Sequence, residues 1–132
     1  MPVELISRFP VADRELSALH ARAFGGAIQL APWAQRLEKH ALTWVGAFDD
    51  GLIVGFVQVC WDGGAHAFLL DTAVDPAWQH RGLGQQLVEA AAADARQAGC
   101  QWLHVDFEPH LEEFYLDKCG FRPTRAGLLP LS

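Results

Sequence analysis

The chain has no surplus of positive charge: ten Lys and Arg stand against sixteen Asp and Glu, a formal net charge of −6. Nucleic-acid binding rests on basic side chains that neutralise phosphates, so that class of partner is excluded. No apolar run approaches the ~18 residues of a membrane span. The opening "MPVELISRFPV" lacks a basic segment followed by an apolar one, so neither a membrane anchor nor a signal peptide is expected. Cysteine is scarce and odd in number (Cys60, Cys100, Cys119), with no CxxC spacing, which excludes a disulfide framework and fits a reduced, cytoplasmic protein. Tyrosine occurs once, at Tyr115. There is no repeat, low-complexity segment or linker. What is present, 51% hydrophobic and 20% charged residues in a chain of 132, predicts one globular domain over residues 1–132. The acidic balance is weak encouragement for a cationic small substrate.

Periodicity divides the chain into elements. "VELISRF" reads as a first strand. In "VADRELSALHARAFGG" Asp13 is placed as an N-cap, Leu16, Leu19, His20, Ala23 and Phe24 recur at helical spacing, and Gly25 or Gly26 ends the helix. "APWAQRLEKH" predicts a second, shorter helix with Pro32 in its first turn. "LTWVGAF", "LIVGFVQVCW" and "HAFLLDTAV" predict three antiparallel strands joined at "DDG" and "DGG" turns. A helix then runs to about Ala98, with Leu83, Leu87, Ala91 and Ala95 stacked on one face and Gly99 as its stop. "QWLHVDFE" alternates Leu103, Val105 and Phe107 with His104, Asp106 and Glu108 in a strand parallel to the one before the helix. "HLEEFYLDKCGF" predicts a short helix and "FRPTRAGLLPL" a closing strand. The expected order is β-α-α-β-β-β-α-β-α-β: an α/β fold with a central mixed sheet and helices on both faces.

Gly82 and Gly84 stand where the long helix must begin, although glycine disfavours helix by ~1 kcal/mol relative to alanine. The first N–H groups of a helix have no internal partners and carry the positive end of its dipole. Glycines let backbone approach a phosphate, and Arg81 adds a fixed charge, so the stretch reads as a pyrophosphate cradle; two glycines also serve a tight turn. A Walker A loop needs Lys-Ser or Lys-Thr after the last glycine, where Gln85-Gln86 stands. A Rossmann fingerprint needs a third glycine at position 87, which is Leu, and a first strand ahead of it.

The stretch Gln79-His80-Arg81-Gly82-Leu83-Gly84 resembles the signature of the GNAT superfamily of acetyl-CoA-dependent N-acetyltransferases. "TAVDPAWQ" resembles the end of that family's fourth strand and "FYLDKCGF" its late helix and turn, so the resemblance runs through nearly the whole chain in element order. It implies acetyl-CoA as co-substrate, with no metal, and a fourth and fifth strand that splay apart around the pantetheine arm. It further implies pyrophosphate contacts from the backbone around His80, Arg81, Gly82, Leu83, Gly84 and Gln85 behind Gln79. Ala73 and Val74 would pair with the pantetheine arm as an added strand does. An N–H near Thr72 to Val74 would polarise the thioester carbonyl. The acceptor is a small-molecule or peptide amine, and a homodimer is compatible with the family.

In that family a late tyrosine protonates the departing thiolate, which makes Tyr115 the candidate acid. The family places three residues between this tyrosine and the glycine of "GF", whereas Leu116, Asp117, Lys118 and Cys119 make four here. Counted back from Gly120 the slot holds Leu116; counted forward from the fifth strand it holds Tyr115. One residue turns a helix by ~100°, so a bulge must absorb the extra residue if Tyr115 is to reach the sulfur. Otherwise Tyr115 is a wall residue.

Glu108 takes a position where relatives often carry an Asn on the cofactor arm, which suggests a carboxylate facing the acceptor amine. The polar face His104, Asp106, Glu108 meets either the substrate cleft or solvent, with His104 paired to Asp106. Asp106, Asp71 and Trp33 are weaker acceptor-side candidates, with local pairing the simpler role for Asp71. His110 is read as a helix-start residue. Zinc on His104, Asp106, Glu108 and His110 is rejected, because such close spacing along one strand rarely closes a tetrahedron. Cys119, beside the turn glycine, is assigned to packing rather than to an acetyl-enzyme. A non-catalytic acyl-CoA-binding module and a cofactor-free sequestering protein are the alternatives.

Overall fold

The runs "LTWVGAF" and "LIVGFVQVCW" are apolar at nearly every position because both faces of the sheet they enter are covered, which removes the usual in-out alternation. The computed structural model describes residues 2–132. Its elements are β1 (Glu4–Ser7), α1 (Asp13–Phe24), α2 (Trp33–His40), β2 (Ala41–Asp49), β3 (Leu52–Trp61), β4 (His66–Val74), α3 (Leu83–Gln97) and β5 (Trp102–His104). The sheet order is β1-β2-β3-β4-β5, antiparallel except for the parallel β4–β5 pair. Asp50 and Gly51, both with positive φ, close the β2–β3 hairpin. One face packs under α1 and α2 through Leu16, Leu19, Trp33, Leu37 and Phe56. The other packs under α3 through Val45, Val57, Leu69, Leu83 and Leu87. Ser7 and Thr43 both donate hydroxyls to Asp94 Oδ2 at 2.7 Å, tying α3 to the first two strands. Among the described residues no helix is long and apolar enough to cross a membrane.

Four local expectations are corrected. Asp13 is the first residue of α1, not its cap; its Oδ1 instead accepts the N–H of Ala34 at 2.8 Å and so caps the start of α2. Pro32 stands just ahead of α2, in the N-cap position rather than the first turn. The fifth strand pairs only over Trp102–His104 and lies at the sheet edge, although the alternation of half-buried Leu103, Val105 and Phe107 with exposed His104, Asp106 and Glu108 continues beyond the pairing. The closing strand does not form: the chain after Cys119 has no regular structure, and Leu128, Leu129 and Leu131 are exposed. Pro123 and Pro130 withdraw two donors from that segment, and the adjacent Leu128 and Leu129 cannot both face a core from one strand.

Candidate active site

Past β4 the chain turns at Pro76–Trp78. Asp75 fixes the turn by accepting the Ala77 N–H (2.9 Å), and its other oxygen takes Arg22 Nε of α1 (2.9 Å). His80 (φ 63°) and Gly82 (φ 80°) are both left-handed. Residues of that conformation beside right-handed ones turn successive N–H groups inward, which makes a hollow for an anion. The first bond inside α3 runs from Gln86 N–H to Gly82 C=O (3.1 Å), and no side chain caps the helix. The N–H groups of Leu83, Gly84 and Gln85 therefore lie ahead of the helical ladder at the positive end of the dipole.

The two glycines answer to different demands. A Cβ at Gly82 would touch nothing within 4 Å, so glycine is required there by φ. A Cβ at Gly84 would lie 3.1 Å from Phe114 Cζ, so glycine there lets α3 approach the late helix. Leu83 contributes only backbone, since its side chain is in the core. Gln79 Nε2 donates to the Val74 carbonyl (3.2 Å), bracing the loop on β4, and the Arg81 guanidinium lies 4.9 Å from the Trp78 ring centre. Residues 79–82 are exposed and the helix start is uncapped, a donor set of the kind that suits an anionic group.

Beyond Phe68 and His104 the strands β4 and β5 part. The gap opens into a cleft of about 610 Å³ lined by Asp71, Thr72, Asp106, Glu108, Leu111 and Tyr115, with Ala126–Leu128 of the tail across it. On β4 after Thr72, Ala73 is buried and Val74 half-buried, and neither is among the residues that line the cleft. Tyr115 belongs to a π-helical segment, Glu113–Lys118, in which the Cys119 N–H bonds the Phe114 carbonyl five residues back (3.0 Å). A π turn accommodates one more residue than an α turn, the kind of bulge that four residues between Tyr115 and Gly120 call for. Tyr115 is buried and stacks on Phe107 (5.1 Å), while Leu116 is not among the cleft residues. Burial pushes the Tyr115 phenol up; the Thr72 side chain pulls against this, and Cys119 and Asp106 add to the rise.

A second cavity, about 540 Å³, lies between α1, the loop after it, and α2, with His20, Phe24, Trp33, Arg36 and Asp71 in its wall. Asp71 and Phe24 line both cavities. Asp71 is left-handed (φ 57°) and occupies a bulge where β4 slips by one residue against β3. Its Oδ2 accepts Gln58 Nε2 at 2.7 Å and its Oδ1 lies 3.4 Å from His20 Nε2. Asp71 thus pairs locally, and one of its partners is His20, a member of the α1 stripe that the sequence pattern does not single out. The sequence signal for it is a histidine among leucines and alanines at helical spacing.

Other candidates are not brought together. His104 pairs with His66 (2.7 Å) and stacks on Phe68, not with Asp106. His110 lies in the short turn Pro109–Leu111, outside the cleft lining. Among the described residues no three metal-ligating side chains converge. Burial, and then Glu89, pushes the Cys119 thiol up to about 11, which leaves it a poor nucleophile.

A five-stranded mixed sheet with one parallel pair, β4–β5, and helices on both faces is the fold of solved acetyltransferases. A probable acetyltransferase from meticillin-resistant Staphylococcus aureus has this fold at a TM-score of 0.81, with 21% identity over 99% of both chains. The acetyltransferase (GNAT) family profile matches residues 12–121, and the chain belongs to that family. A probable glucosamine 6-phosphate N-acetyltransferase of Oryza sativa subsp. japonica is 39% identical over 59 residues, 45% of this chain and 35% of that protein. The chain spans about a third or less of the length of the curated relatives it matches. The structure of AAC(6')-Iy bound to a bisubstrate analogue, CoA-S-monomethyl-acetylneamine, is similar at a TM-score of 0.79, 19% identity, over 100% of this chain and 99% of that one.

Proposed function

We propose that the chain moves an acetyl group from acetyl-CoA to a primary amine by direct attack. One observation carries the reading: the cleft beside the parting of β4 and β5 and the aromatic pocket behind it share Asp71 and Phe24, and an uncapped helix start follows β4 in the chain. In this reading the backbone from His80 to Gln85, with Arg81, holds the pyrophosphate; Ala73 and Val74 pair with the pantetheine arm; an N–H of Thr72 to Val74 meets the thioester oxygen. A phenol is protonated at neutral pH and burial pushes Tyr115 further up, so it stands in the state from which it would give its proton to the thiolate. Asp106 and Glu108, exposed at the cleft, draw in the cationic amine, and Trp33 and Asp71 wall its pocket. The protonated Cys119 thiol supports direct attack over an acyl-enzyme. Likeness to a glucosamine 6-phosphate enzyme and to a complex with an acetylneamine analogue supports a small amine as acceptor.

The test is calorimetric titration with acetyl-CoA, followed by thiol release with glucosamine 6-phosphate, neamine, spermidine, free amino acids and a lysine peptide. Saturable binding with amine-dependent thiol release is expected. Binding without turnover would make the chain an acyl-CoA-binding module, and absence of binding would remove the reading altogether.

A further inference from the structure

The seam between the two cavities is one carboxylate. By the alternation that buries Ala67 and Leu69 under α3, Asp71 belongs on the α3 face of β4. The left-handed bulge turns it over, toward α1, where His20 and Gln58 meet its two oxygens. His20 is held between Phe24 (ring centres 4.6 Å) and Trp33 (5.4 Å) and keeps about a third of its side chain exposed, 37%. We propose that His20 takes the proton from the acceptor's ammonium group, with Asp71 and Gln58 as the residues that position it. The proposal rests on the acetyl-transfer reading above.

The chemistry closes. With Nε2–H turned to Asp71, the lone pair on Nδ1 accepts a proton from R–NH₃⁺, and the Asp71 carboxylate balances the imidazolium. The freed amine attacks the thioester carbonyl, so that a C–N bond forms and the C–S bond breaks. The thiolate takes the Tyr115 proton, and the proton shed by the new amide nitrogen restores the phenol. The imidazolium returns its proton to water on its exposed side. The sum is ammonium plus thioester giving amide, thiol and one proton. The charged and titratable groups around the ring are Asp71 on β4, Arg36 on α2 and, one hydrogen bond further through Gln58, Cys60 on β3.

The test uses His20→Gln and Asp71→Asn in the full chain, with whichever amine of the panel above wild type turns over fastest. For His20→Gln, kcat/KM for the amine falls ~10²-fold near pH 7. The loss shrinks by about tenfold per pH unit on raising the pH, as the amine supplies its own free base. Asp71→Asn shifts the same profile in the same direction, and calorimetric affinity for acetyl-CoA stays within about twofold in both, which certifies the fold. A pH-independent loss means a structural role and overturns the proposal, as does a wild-type profile in His20→Gln. Wild type that binds acetyl-CoA but acetylates no amine overturns the acetyl-transfer reading and this proposal together.

Discussion

Replacing Tyr115 by Phe removes one oxygen and leaves the ring in its packing against Phe107 (5.1 Å), Phe114 (4.8 Å) and Phe121 (5.9 Å). The stability cost is therefore confined to one polar group, about 1 kcal/mol or less, a shift of a few degrees in Tm for a chain of this size. A general acid is worth ~10²-fold or more in rate, equivalent to ~2.7 kcal/mol, so the two effects separate cleanly. Stopped thiol release, a thermal melt and an acetyl-CoA titration together read them. The expected result is a ~10²-fold lower kcat with cofactor affinity unchanged. The alkaline side is also fixed in sign. Burial raises the folded phenol above its ordinary ~10. Its contribution to stability is complete below about pH 10 and is lost as the pH rises through the raised folded value. Tyr115→Phe removes that alkaline loss. The paired exchange Tyr115→Leu with Leu116→Tyr decides the register: it should not restore the rate. Near-wild-type turnover in Tyr115→Phe, or rescue by the exchange, would refute the assignment of Tyr115 as the acid.

Three further outcomes are expected. Gly82→Glu should abolish acetyl-CoA binding, because a side chain is strained at φ 80° and brings negative charge to the anion hollow; no atom lies within 4 Å of the new Cβ, so the melt should fall only modestly, and unchanged affinity would defeat the cradle. Glu108→Gln should raise KM for a cationic amine several-fold without lowering kcat, most strongly at low salt, whereas equal KM values would remove Glu108 from acceptor capture. Cys119, pushed up to about 11, should resist iodoacetamide near pH 8, and Cys119→Ser should keep its activity; rapid labelling that tracks loss of turnover would revive a covalent intermediate.

The sequence was most legible where one rule acts over many residues. Leu83, Leu87, Ala91 and Ala95 recur with helical period and all are buried under one face of the sheet. The hairpin at Asp50-Gly51 follows from turn chemistry, and the α3 start from glycines that neither a kinase loop nor a dinucleotide fold would place there. It was least legible where an edge had to find a partner. "FRPTRAGLLPL" has strand-like apolar content, yet neighbours alone decide whether a segment pairs, and two prolines and the vicinal leucines leave it without regular structure. Asp13 shows the same limit at short range. Its carboxylate is as good a cap as expected, but the helix it caps begins at Trp33, twenty residues along the chain.

Two irregularities of the cleft each accommodate one extra residue. The bulge at Asp71 turns a carboxylate from the α3 side of β4 to the α1 side, and the π turn at Glu113–Lys118 keeps Tyr115 in the cleft despite the extra residue before Gly120. Neither alters composition, and each breaks a period only once, so pattern reading averages over it. The physical cost of each, a left-handed aspartate and a widened helical turn, is local and is borne by a sheet and a core that are otherwise regular. Irregularities of that kind persist when the surrounding packing over-determines them. Here the Gln58 and His20 contacts pin the first, and the aromatic stack of Phe107, Phe114 and Phe121 around Tyr115 pins the second. Asp71 and Tyr115 both line the cleft beside the parting of β4 and β5, so the two irregularities meet at one site, which is where the proposed transfer would use them.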